Sequence, residues 1–155
     1  MKSRGKPKKT SAAEIIINKS ASDINEYQLF KLKNDLQVLL IEDNNQAGGN
    51  GEPMAYVSLS VNVGSFNDPP HRQGLAHFLE HMVFMGSERY PEESAYSDHV
   101  SANGGYCNAY TEFEWTNYQH ECSESGLIES LDMMSSNLEQ SKLLKEAMER
   151  EINAV

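Results

Sequence analysis

From Ala55 to Val63 the chain alternates. Ala55, Val57, Leu59, Val61 and Val63 fall on one side, and Tyr56, Ser58, Ser60 and Asn62 on the other. Period two with one polar face predicts a strand whose sheet packs helices on one side and faces a cavity or solvent on the other. Upstream, "YQLFKLKND" and "LQVLLIED" read as two strands joined around Lys33–Asp35, where Asn-Asp supplies a turn. The Gly- and Asn-rich "NNQAGGNGEP" is a surface loop. Downstream, "GGYCNAYTEFE" and "WTNYQHECS" predict a hairpin.

In four places the period becomes helical. One helix starts near Gln73 and stops at Gly86, a residue suited to the left-handed position after a helix end. Pro91 is placed to open a second, "PEESAYSDHVSANG". In "SGLIESLDMMSSNLEQ" one face carries Leu127, Ile128, Leu131, Met134 and Leu138; in "KLLKEAMEREINAV" it carries Leu143, Leu144, Ala147 and Met148. The order β-β-β-α-α-β-β-α-α predicts an α+β class, a mainly antiparallel sheet with helices packed on one face. Residues 1–25 read as a polar, disordered leader, and residues 26–155 as the folded part.

Composition changes this picture little. With 155 residues, 39% hydrophobic and 23% charged, the chain is sized and composed for one globular domain rather than a disordered one. Charge is more telling. "MKSRGKPKK" holds five of the 13 Lys and Arg, leaving 8 basic against 23 acidic residues from position 10 onward, a net −15. An acidic body disfavours nucleic acid. No apolar run approaches a membrane span, and the N-terminus lacks a signal peptide's hydrophobic region, so neither membrane insertion nor secretion is expected. Two cysteines, Cys107 and Cys122, make no disulfide scaffold; a reducing compartment and a cytoplasmic location are the expectation.

The chemistry lies in "HFLEHMVFMG". At roughly 100° per residue, Leu75, Phe78, Leu79, Met82 and Val83 share an arc about 140° wide, while His77, Glu80, His81 and Phe84 fall opposite. Imidazoles one turn apart reach a common zinc ion, and Glu80 beside them is placed to take a proton from the water that the metal acidifies. His-x-x-Glu-His is the inverted zinc-peptidase signature. With five histidines in the chain, accidental matches by composition number on the order of 0.01. His71, His99 and His120 have no partner at ligand spacing and read as surface or hydrogen-bonding residues.

"VGSFNDPPHRQGLAHFLEHMVFMGSERYP", "GGYCNAYTEFEWTNY" and "REINAV", in that order, resemble the insulin-degrading enzyme and pitrilysin family of zinc metallopeptidases, in its insulin-degrading enzyme and nardilysin branch. The resemblance implies a mitochondrial-processing-peptidase-like half domain, cut before its end. It implies one Zn2+ held by His77 and His81, with Glu80 as general base. Asn108 and Ala109 match a pair that hydrogen-bonds an extended peptide substrate; the alternative for Asn108 is a local turn. Glu151 matches a glutamate important to catalysis. Helical projection independently puts Glu151 inside the apolar arc of Ala147, Leu144 and Met148, where a carboxylate needs a partner. The family's third ligand, a glutamate seven residues further on, would fall three residues beyond Val155, so one Zn2+ is expected per complete site and weak or absent binding in this chain alone.

Function is therefore expected to be zinc-dependent hydrolysis of small to medium peptides by the parent protein, with this chain a fragment of little activity alone. Expected partners are peptide substrates, the remainder of the same polypeptide and, through uncovered apolar surface, copies of itself. The alternative is a non-catalytic binding or assembly module retaining the fold.

Overall fold

The computed structural model describes residues 18–44 and 52–152. Most of the 1–25 leader, most of the 44–53 loop and the terminal Asn153, Ala154 and Val155 lie outside the described residues. The chain divides into two units, Met1–Asn50 and Gly51–Val155. In the first, β1 (Glu26–Lys31) and β2 (Gln37–Glu42) pair antiparallel, with Glu26 opposite Glu42 and Lys31 opposite Gln37. The turn falls where Asn34 and Asp35 were expected to make it. Asp35 takes the left-handed conformation at φ 69°, which aspartate tolerates better than most residues.

The second unit holds a three-stranded antiparallel sheet in the order β3 (Met54–Val61), β5 (Thr116–Ser123), β4 (Tyr106–Thr111). Its helices are α1 (Leu75–Val83), α2 (Ala95–Ala102), α3 (Leu127–Glu139) and α4 (Lys145–Ile152). The chain is thus α+β, in the element order read from its periodicity. Central β5 is buried along most of its length, as a strand flanked on both sides should be. Register places Val57, Leu59, Tyr118, Cys107 and Ala109 on one sheet face, against a core of Val83, Tyr96, Val100, Met133 and Met134. Met82, fully buried, and Val83 each contribute on the order of 1.5–3 kcal/mol through burial.

Helix faces depart from expectation in two places. On α1, Leu75 and Leu79 are 49% and 47% exposed, while Ala76, Glu80, Met82 and Val83 are buried. The helix is rolled so that Glu80 points inward, because a hydroxyl on β4 receives it. On α3, Ile128 is exposed and Ser130 and Asn137 are buried. For Ser130 a partner decides: its Oγ meets His120 Nε2 at 2.8 Å and donates to the Leu127 carbonyl.

Two helix starts are also corrected. Pro91 opens a turn, and α2 begins only at Ala95. The Tyr90 carbonyl is taken by the Ser87 N–H at 2.9 Å, and the Glu92 carbonyl by the Ala95 N–H three residues on. Leu143 lies outside α4 at φ 44°. A bridge between Ser87 and Ser141, with Lys142 N–H on the Gly86 carbonyl, ties the chain back and forces it to turn there before the helix starts.

Candidate metal centre

Helix α1 is aimed from both ends. Before it, Gly64 approaches the β4–β5 loop so closely that a Cβ would lie 2.5 Å from the Glu112 carbonyl oxygen. The adjoining N–H groups of Ser65 and Phe66 bond the carbonyls of Glu112 and Phe113. Asp68 then reaches forward: its carboxylate accepts from the N–H of Gly74 at 2.7 Å and of Ala76 at 2.9 Å. That satisfies two of the free donors at the helix N-terminus and places an anion at the positive end of its dipole. After α1, Gly86 turns at φ 84° as its position in the sequence suggested.

His77 and His81 point the same way. Their Nε2 atoms are 3.2 Å apart, with the rings at 76° to each other. An ion bound tetrahedrally at zinc–nitrogen distances of about 2.0–2.1 Å separates two ligand nitrogens by roughly 3.3 Å, so the pair fits one zinc. From α4, Glu151 Oε2 meets His81 Nδ1 at 2.9 Å. An Nδ1–H donated to that carboxylate leaves the Nε2 lone pair facing His77, the orientation that carboxylate–histidine–metal arrangements use. The carboxylate that helical projection placed among apolar residues thus has a partner 70 positions away in sequence.

Glu80 is 7% exposed, and its Oε2 accepts the Thr111 hydroxyl at 2.5 Å. Ligand atoms of His77, Glu80 and His81 all lie within 4.8 Å of one another. Tyr118 is buried nearby; burial, and secondarily the Glu80 charge, pushes its hydroxyl up to about 12. A cleft of about 460 Å³ opens over the histidines and is bordered by Phe84, Met85, Asn108 and Ala109. Asn108 and Ala109 sit on β4, the edge strand of the sheet beside α1, opposite Gln119 and Tyr118 of β5.

Residue reading missed Thr111 and Asp68. Thr111 shares a face of β4 with Ala109 by period two, a signal that was available; Asp68 lay in a stretch read only as a break between elements. Two of the other histidines, His99 and His120, serve structure. His99 Nε2 lies 3.1 Å from the Gly126 carbonyl, and His120 is fully buried between Tyr96 and Ser130.

An antiparallel sheet carrying a His-x-x-Glu-His helix beside an edge strand and an open cleft is an α+β arrangement suited to holding a metal ion over a groove. The chain belongs to the insulinase family, peptidase family M16, whose model matches residues 47–155. It is 42% identical over 146 residues to insulin-degrading enzyme-like 1, peroxisomal, of Arabidopsis thaliana, covering 94% of this chain and 14% of that protein. A Schizosaccharomyces pombe protein named as a zinc protease is 38% identical over 154 residues, covering 97% of this chain and 15% of that one. The crystal structure of pitrilysin superposes with a TM-score of 0.80 at 36% identity, over 89% of this chain and 14% of that chain. This chain therefore spans about one seventh of the length of the relatives it matches.

Proposed function

We propose that this chain carries the metal-binding helix and general base of a zinc-dependent metalloendopeptidase. The observation that carries the reading is the convergence of His77 Nε2 and His81 Nε2 at 3.2 Å, with the Glu80 carboxylate beside them. His77 and His81 would hold the ion, and the Glu151 carboxylate beside Nδ1 would fix the tautomer and direction of the His81 ring. When bound, zinc supplies Lewis acidity, lowering the pKa of water and polarising a peptide carbonyl. Glu80 uses the oxygen not occupied by Thr111 to take a proton from the attacking water, then passes it to the leaving amine. The exposed edge of β4 at Asn108 and Ala109 offers backbone N–H and C=O groups to an extended peptide, aligning its scissile bond over the histidines. Hydrolytic activity is assigned to the whole protein, of which this chain supplies these elements.

Calorimetric titration with zinc tests the reading. One ion should bind the chain; His77→Ala and His81→Ala should each abolish binding, and Glu80→Gln should retain it. Glu151→Gln should weaken affinity by about 10–100-fold, the usual cost of losing a partner behind a ligand. Binding indifferent to both histidines, or no binding even by a chain extended through the third ligand, would refute it.

A further inference from the structure

We infer that Thr111 is a positioning residue that holds Glu80 back from the metal, so that this carboxylate serves as a base and not as a ligand. The inference rests on the zinc reading above. Glu80 presents a ligand oxygen within 4.8 Å of the ligating histidine nitrogens, close enough for a small rotation to bring it onto a shared ion. A carboxylate that near a dication is drawn towards it. Something must restrain it, and the Thr111 hydroxyl supplies the restraint.

The bond is short and charge-assisted, with Thr111 Oγ1 donating to Glu80 Oε2 at 2.5 Å. Its direction is set by the ionised carboxylate, which only accepts. Thr116, opposite Thr111 in the β4–β5 register, donates its own proton to the Val63 carbonyl at 2.8 Å. Thr116 Oγ1 lies 3.4 Å from Thr111 Oγ1. That contact is long and to a neutral oxygen, so the Thr111 proton goes to the nearer, charged Glu80 oxygen. Since Glu80 is 7% exposed, water does not readily replace that donor. The sheet thus grips one carboxylate oxygen while the histidines of α1 face the cleft. Without the hydroxyl, Oε2 is left buried and unpaired, a costly state that the nearest cation relieves.

Cobalt(II) and zinc titrations of Thr111→Val, Thr111→Ser, Glu80→Gln and the Thr111→Val/Glu80→Gln double variant test this on the chain itself, by affinity and by the visible absorption of cobalt. Thr111→Val should bind zinc more tightly, on the order of tenfold, the scale at which outer partners alter metal sites. Its cobalt spectrum should change as a carboxylate enters the sphere. Thr111→Ser should match the unmodified chain, and in the Glu80→Gln background Thr111→Val should have no effect. The cobalt spectra of the unmodified chain and of Glu80→Gln should coincide, a comparison that does not depend on how the valine variant folds. Unchanged or weaker binding by Thr111→Val, a serine variant that behaves like valine, or a Glu80→Gln spectrum unlike the unmodified one would overturn the inference and leave the zinc reading standing. Binding of neither metal even by a chain extended through the third ligand would overturn both.

Discussion

His120 shows how much a single position can hide. In the sequence it is one of three histidines without a ligand partner; in the fold it is fully buried and both ring nitrogens are bonded. Ser130 gives its proton to the Leu127 carbonyl, so it accepts from His120 Nε2–H, and Nδ1 accepts from the Tyr96 hydroxyl at 2.8 Å. This fixes a neutral ring. Burial, and secondarily His99, holds its pKa below histidine's ordinary 6.5. Below that value the unfolded chain takes up a proton that the folded ring refuses, so stability falls as pH drops, by at most about 1.4 kcal/mol per pH unit, and is unaffected above it. Urea midpoints should therefore fall between pH 7.5 and 5.5 more steeply for the unmodified chain than for His120→Gln; parallel slopes would count against it. None of this was legible from position 120 alone, because Tyr96 and Ser130 come from two different helices.

At the scale of the element, the kinds and order of strands and helices were readable because period two and period 3.6 are hard to confuse over eight or more residues. Which side of a helix faces inward was less readable. Counting apolar residues put Leu75 and Leu79 inside and Glu80 outside; a hydroxyl on β4, 31 positions later, reverses Glu80. The same limit applies to α1's N-terminus. Gly74 offers no side chain there, and the cap arrives from Asp68. Asp68→Ala should cost roughly 1 kcal/mol of stability, the typical loss of a helix cap, and Asp68→Asn should recover part of it. Denaturant melts would measure both, and an alanine variant as stable as the parent would show that the loop positions α1 without it. The proximity of His77 and His81 was legible because i, i+4 spacing guarantees a shared helix face; a partner for Glu151 was suggested by projection.

For the whole molecule, composition indicated a folded acidic chain and no more. The described residues contain no helix long and apolar enough to cross a membrane. Leu75 and Leu79, 49% and 47% exposed on adjacent turns of α1, form apolar surface on the outer side of the same helix that carries the histidines. Such a patch favours association. Sedimentation velocity should show the chain shifting to dimers and larger species as concentration rises, and a Leu75→Ser/Leu79→Ser variant should remain monomeric. A monomeric parent at high concentration would argue that the patch is too small to matter.

The 2.9 Å contact between His81 and Glu151 joins the first helix of the second unit to its last. Because binding linkage is reciprocal, an ion that stiffens the His81 ring also fastens α4 against α1, and loosening α4 loosens the grip on the ion. Metal uptake and the packing of α4 on α1 would in that sense be one event, with the imidazole acting as a clasp between them.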